Sequence, residues 1–394
     1  MSEPIAVLMY HSIAPENLDW VFNYLSIDPD LFEDQISTLK RAGYVAITLD
    51  ELHSYVLGKT RLPPKSIVLT FDDGYLDNWV FAFPILRKYG FKATVFVSTD
   101  FVDRRGGVRP NLDDVWQGRL KQSALTWKGF LSYDEMRRMK STDLVDIQGH
   151  CKTHTWYFTS SKIVDFHHPG DGYVWLAWNA CPERKYLYME EDQSEFVPFG
   201  SPVYEYEKAI EARRYFPDPS IERQCVEYVR DHGDRSFFEK PNWRSVLTLI
   251  ASQSRSSRSE YRVEDDAERV SRLREEIVLS KRELEEALDS NIDFLCWPGG
   301  SYDDVAVEIA REAGYRAWTL RSSEVGLRKN RPGDHPEWIR RIAAVPSWYY
   351  KGRLVCRVDG EFLKAVLDDY KELPLAGLKL KWVKATRLLG SLVT

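Results

Sequence analysis

The sequence predicts an α/β fold built as a (β/α) barrel, and three observations predict it. Short apolar runs of strand length alternate with helical patterns, which is the mark of a parallel sheet clothed in helices. Seven or eight such runs can be counted. The residues able to carry chemistry, His11, Asp72, Asp73, His150, His154 and the turn Pro298-Gly299-Gly300, all follow such runs, at the strand ends where barrels hold their active sites.

The chain has 394 residues, 43% hydrophobic and 29% charged, which is ordinary globular composition with length for a large core. A net charge of -6 argues against a nucleic-acid protein, because no general positive field attracts phosphates. Met1-Ser2-Glu3-Pro4 lacks the basic flank and apolar run of a signal peptide, and no apolar stretch is long enough to span a bilayer. The expected location is the cytoplasm. Five cysteines without C-x-x-C spacing indicate neither a disulfide framework nor a structural zinc site.

Ile5 to Tyr10 reads as a first buried strand that delivers His11. Helical spacing follows over Asp30 to Ala42, Gly43 stops it, and Tyr44 to Leu49 returns to strand character. Ser66 to Phe71 is an apolar strand that runs into Asp72-Asp73-Gly74, and a helical pattern continues over Leu76 to Tyr89 as far as Gly90. Ala93 to Val97 and Leu144 to Gly149 are further strands, the second delivering His150 and His154. From Thr155 to Asp265 the rhythm is lost in an aromatic-rich segment whose Gln253 to Ser259 end reads as a mobile tail. Trp175, Trp178, Tyr186 and Tyr188 there suit a β-hairpin. A long helix with Val270, Leu273, Ile277, Leu284 and Leu288 on one face leads to a strand at Ile292 to Trp297, and Tyr315 to Leu320 and Ile339 to Val345 complete the set.

Adjacent aspartates repel, so Asp72 and Asp73 at the mouth of an apolar strand point to a cation or a shared proton, although Asp also caps helices well. His150 and His154 stand four apart. With one carboxylate they make a two-His, one-carboxylate set that leaves positions open for water and substrate. Surface histidines on a helix are the plainer alternative.

Thr70-Phe71-Asp72-Asp73-Gly74, the His150 to His154 spacing and Trp297-Pro298-Gly299-Gly300, in this order, resemble the polysaccharide deacetylases of the NodB-homology group, carbohydrate esterase family 4. Val7-Leu8-Met9-Tyr10-His11 resembles the branch in which the histidine usually found late in the chain stands on the first strand. The resemblance covers residues 5 to 155 and about 268 to 345. It implies a distorted (β/α)7 TIM-like barrel and metal-dependent removal of acetate from an N-acetylated amino sugar.

By the same resemblance Asp73, His150 and His154 hold one divalent metal, with zinc the first expectation and nickel, cobalt or iron the others. Asp72 takes the proton of the attacking water, His11 protonates the leaving amine, and a backbone N–H near Gly299 shares the oxyanion. His335 is the substitute for His11, and Arg340 or Arg341 would orient Asp72. Cys151 stands where the family usually has Ser or Thr. Trp297, Tyr302, Trp175 and Trp178 are the candidate sugar contacts, although Trp175 and Trp178 equally suit a small core of their own.

The expected organisation is a barrel in two parts, 1–155 and 266–348, an insertion at 156–265 and a helical tail at 349–394. In that tail Leu378, Trp382, Ala385, Leu389 and Leu392 keep helical spacing among Lys379, Lys381, Lys384 and Arg387. Residues 378–393 therefore suit either docking on the barrel or peripheral contact with an anionic membrane, and the second would favour a lipid-linked amino sugar of a surface-glycan precursor. A metal-dependent hydrolase of another small amide, and a non-catalytic carbohydrate-binding barrel, are the rival functions.

Overall fold

The structure is a computed structural model that describes residues 2–254, 260–320, 329–351 and 353–391. The expected mobile tail falls largely on residues 255–259, and Leu392 on 392–394, outside the described residues. Two compact units are present: residues 1–151, 280–300 and 314–394 form the first, and 152–279 with 301–313 the second.

The first unit holds a nine-stranded sheet: β1 Ala6–Tyr10, β2 Val45–Ala46, β3 Ser66–Phe71, β4 Ala93–Val97, β5 Val145–Gly149, β6 Phe294–Leu295, β7 Ala317–Thr319, β8 Trp338–Ile339 and β9 Ile342–Ala343. Their order is β8-β7-β6-β5-β4-β3-β1-β9, with β2 beside β3. Every pairing is parallel. The two ends of this path, β8 and β9, are consecutive pieces of one strand interrupted at Arg340-Arg341. The sheet therefore curls round into the distorted barrel that the sequence implied.

Burial explains the apolar runs. All six residues of β3 and all five of β4 are buried, as expected for strands with both faces covered. Val7, Val68, Phe96, Phe294, Ala317 and Ile339, from six strands, pack into one cluster with Leu49, Leu52 and Val56.

Several elements differ from expectation, three of them in ways that matter here. The strand expected over Tyr44 to Leu49 shrinks to Val45–Ala46, because Thr48 caps a helix at Leu49–Val56 and forms a capping box with Glu51. That expected over Ile292 to Trp297 shrinks to Phe294–Leu295. The hairpin expected around Trp175 and Tyr188 is absent: Val174–Ala180 is an α-helix and Pro182–Leu187 a 3-10 helix. The second unit's hairpin pairs Trp156–Phe166 with Pro202–Lys208 instead. Behind it Phe166, Phe199, Cys225, Val229, Phe237 and Leu247 make a separate core.

The five cysteines are unbridged. Among the described residues no helix is long and apolar enough to cross a membrane.

Candidate active site

The carboxyl ends of β1, β3 and β5 gather His11, Asp72, Asp73 and His150 in the first unit. Asp72 continues β3 and its N–H donates to the Tyr10 carbonyl at 3.0 Å. Asp73 then turns the chain with φ +73°, and Gly74 follows at φ +73°. A left-handed aspartate is tolerated because its short polar side chain meets little of the backbone. The turn sends the two adjacent carboxylates to different partners.

Asp72 is 3% exposed and meets Arg341 through both oxygens, Nη1 to Oδ1 at 2.6 Å and Nη2 to Oδ2 at 2.9 Å. The Cys296 thiol donates to Oδ2 at 3.4 Å, and His11 Nε2 stands 3.8 Å from the same oxygen. Burial alone would raise the Asp72 pKa. The Arg341 charge, then that of His11, overcomes it and holds the carboxyl below its ordinary value.

Asp73 Oδ1 instead lies 3.1 Å from His150 Nε2. The other ring nitrogen of His150, Nδ1, is 2.8 Å from the Cys296 carbonyl, which can only accept. Nδ1 therefore carries a proton and Nε2 is the nitrogen left to meet Asp73 or a cation. Burial opposes protonation of this ring, but Cys296 and Asp73 outweigh it and lift its pKa well above the ordinary histidine value. The position favours positive charge. Asp72, His150 and Cys296 also form a close group of potential ligand atoms. The Arg341 guanidinium neutralises Asp72, whereas Asp73 meets the His150 ring.

Beyond Cys151 the chain enters the second unit. His154 lies there, half-buried, with φ +41° and its ring 6.1 Å from that of Trp156. Gly299, in the first unit, is exposed with φ +55° in the turn after β6.

Other expected roles meet different surroundings. Arg340 does not face Asp72: it stands 3.7 Å from Asp334 and over the Trp338 ring, while Arg341 alone turns inward. His335 stacks on Trp338 at 4.4 Å, ahead of β8 and so at the opposite end of its strand from the catalytic mouth. Trp297 is fully buried beside Trp318, which leaves it no face for a sugar. Trp175 and Trp178 are 5% and 3% exposed and pack within the second unit, on Tyr206 and Tyr188 respectively. Tyr302 is half-buried in that unit. Cys296 was not foreseen as a neighbour of Asp72; its place in the apolar run Ile292 to Trp297, which ends at the Pro-Gly-Gly turn, was the available signal.

Comparison with known proteins bears on the family and the fold. The sequence model of the family described as polysaccharide deacetylase matches residues 59–191 and 260–318. YxkH of Bacillus subtilis strain 168, provisionally named a polysaccharide deacetylase, is 37% identical over 93 residues, 24% of this chain and 31% of its own. The poly-β-1,6-N-acetyl-D-glucosamine N-deacetylase of Escherichia coli K12 is 25% identical over 149 residues, 38% of this chain and 20% of its own. The chain thus spans a third or less of the length of these curated relatives. A solved de-N-acetylase structure from Aggregatibacter actinomycetemcomitans superposes with a TM-score of 0.53 at 17% identity, over 89% of this chain and 98% of that one, which shows the shared fold. The match over residues 59–191 and 260–318 thus identifies this part of the chain with the polysaccharide deacetylase family.

Proposed function

We propose that this chain is a divalent-metal-dependent N-deacetylase that releases acetate from an N-acetylated amino sugar of a surface-glycan precursor. The observation that carries the reading is the separation of the two adjacent carboxylates, Asp72 onto Arg341 and Asp73 onto His150. One is set up as a base and the other as a ligand. Asp73, His150 and His154 would hold the cation, and the donor set fits: a carboxylate oxygen meets an imidazole nitrogen whose ring is oriented by a carbonyl behind it. Bound there, a zinc, nickel, cobalt or iron ion would polarise the acetyl carbonyl and acidify the attacking water.

The chain's own groups supply the rest. Asp72, kept ionised by Arg341, accepts the proton of the water that attacks the acetyl carbon. His11 delivers a proton to the sugar nitrogen as the C–N bond breaks, because an unprotonated amine leaves badly. A backbone N–H near Gly299 would share the developing oxyanion, since a residue without a side chain permits close approach. Acetate and the free amino sugar are the products.

The amino-sugar substrate is supported by the relative named as a poly-β-1,6-N-acetyl-D-glucosamine N-deacetylase. A lipid-linked substrate met at a membrane surface is supported by the helix Ala376–Ser391, where Leu378, Trp382 and Leu389 are 65%, 67% and 64% exposed among four basic residues. Five unbridged cysteines suit the reducing cytoplasm.

Elemental analysis of the purified protein beside His150→Ala and Asp73→Ala, with acetate release from N-acetylated amino sugars, tests the reading. About one metal per chain, lost in both folded variants together with acetate release, is expected. A metal-free wild type that binds sugars without hydrolysing them would favour the non-catalytic barrel. Hydrolysis confined to non-sugar amides would replace the substrate.

A further inference from the structure

The loop that carries His154 is tied at both sides. Glu276, 1% exposed, accepts the N–H of Lys152 at 3.2 Å and of Thr153 at 2.9 Å through Oε2, and the Thr153 hydroxyl at 2.5 Å through Oε1. The buried Lys185 ammonium donates to the Thr153 carbonyl at 2.9 Å. Beyond His154, the Ala209 N–H donates to the Thr155 carbonyl at 2.9 Å and the Thr155 hydroxyl bonds Asn179 at 2.8 Å. All of these residues lie in the second unit.

This density of ties has a cause in the backbone. His154 has φ +41°, a conformation that costs a side-chain-bearing residue roughly 1–3 kcal/mol and persists only where the surroundings impose it. A buried carboxylate, acceptor-only, suits the task of gathering three donors. Glu276 sits on a π-helical turn, Glu275–Leu279, which follows the α-helix Asp266–Arg274. Such widened turns sacrifice regular helix bonding and recur at functional sites. Arg272, one turn earlier and also buried, feels the Glu276 charge, but its guanidinium is bonded to Glu264, so the Glu276 oxygens are spent on the loop.

We propose that Glu276 is the positioning residue of the metal loop: its carboxylate fixes Lys152 and Thr153 so that His154 is held ready to ligate. The inference rests on the metal reading above. Cys151 occupies the position where the family usually carries Ser or Thr, and in this chain Thr153 on Glu276 supplies a side-chain anchor to the loop.

Cobalt(II) titration of the metal-free protein tests it, read by affinity and by the visible d–d bands, beside far-UV circular dichroism. Glu276→Ala is expected to weaken cobalt binding about 10–100-fold and to alter the bands, with secondary structure retained. Glu276→Gln should restore most of the affinity, because its amide oxygen still accepts the two N–H groups. Thr153→Val, which removes only the hydroxyl contact, should weaken binding several-fold and decides the matter if Glu276→Ala does not fold. Wild-type affinity and bands in folded Glu276→Ala, or in Thr153→Val where that variant decides, would overturn the inference while leaving the metal site standing. A wild type that takes up no cobalt would instead overturn the metal reading, and this inference with it.

Discussion

Arg341 closes on Asp72 through two parallel hydrogen bonds, 2.6 and 2.9 Å, at the point where the last strand of the barrel breaks between β8 and β9. Because the break lets β9 pair with β1, which also pairs with β3, the arginine reaches the end of β3 from across the sheet. Removing it leaves a buried carboxylate facing burial without its main counter-charge. Arg341→Met should therefore raise the Asp72 pKa and move the acid limb of the kcat/KM profile to higher pH. Unfolding at neutral pH should show a loss of about 3–5 kcal/mol. An unmoved acid limb would mean that Asp72 is not the base.

Asp77 carries the second electrostatic prediction. It accepts the Ser12 hydroxyl at 2.6 Å and the Ile13 N–H at 2.9 Å, and so anchors the segment that follows His11. Burial nevertheless raises its pKa from 3.8 to about 7. Between those values the unfolded chain has released a proton that the folded chain retains, so stability falls as pH rises from about 4 to 7 and is level above. The full effect is about 4 kcal/mol. Asp77→Asn should abolish this slope, so that urea unfolding shows the variant gaining on wild type from pH 4 to pH 8. Parallel curves would show that Ser12, Ile13 and the Asn78 amide, which also donates to Asp77 at 2.8 Å, keep the carboxyl ionised.

The barrel was legible because its strands are buried on both faces and so read as apolar runs, and because the chemistry collects at strand ends. Asp72, Asp73 and His150 could be picked out for that reason. What faces them could not: Arg340 and Arg341 are neighbours on an interrupted strand, and only barrel closure decides which turns inward. The second unit was misread for another reason. Trp175 and Trp178 are three residues apart, a helical spacing that buries both on one side of Val174–Ala180. Glu276 was hidden because charged residues on an amphipathic helix are assigned to solvent, whereas the buried face here also takes Arg269, Arg272 and Lys281.

Gly74 follows Asp73 and has no room to change. Its φ is +73°, and an added Cβ would stand 3.2 Å from Val97 Cγ2. Gly74→Ala combines left-handed strain of about 1 kcal/mol with crowding of the buried β4. Denaturant unfolding should show a loss of about 1–3 kcal/mol, and Val97→Ala should recover the crowding share alone. Full recovery in the double variant would assign the whole cost to Val97.

Gly149 precedes His150 on β5, and a Cβ there would stand 2.7 Å from the Tyr315 hydroxyl. The ring beneath it is buried and cannot retreat freely, so Gly149→Ala should push the end of β5 and with it the imidazole that faces Asp73. Overpacking of this kind costs about 1–3 kcal/mol. Tyr315→Phe removes the atom that collides, at the loss of the hydroxyl's own bond to Ser280. The double variant should therefore be more stable than the sum of the two single losses, with a coupling of about 1 kcal/mol. Cobalt affinity should follow the same order, low in Gly149→Ala and partly restored in the double variant, because the displaced group is a proposed ligand. Strict additivity in both measurements would show that the strand end does not bear on Tyr315, and that Gly149 is needed for some other reason than this contact.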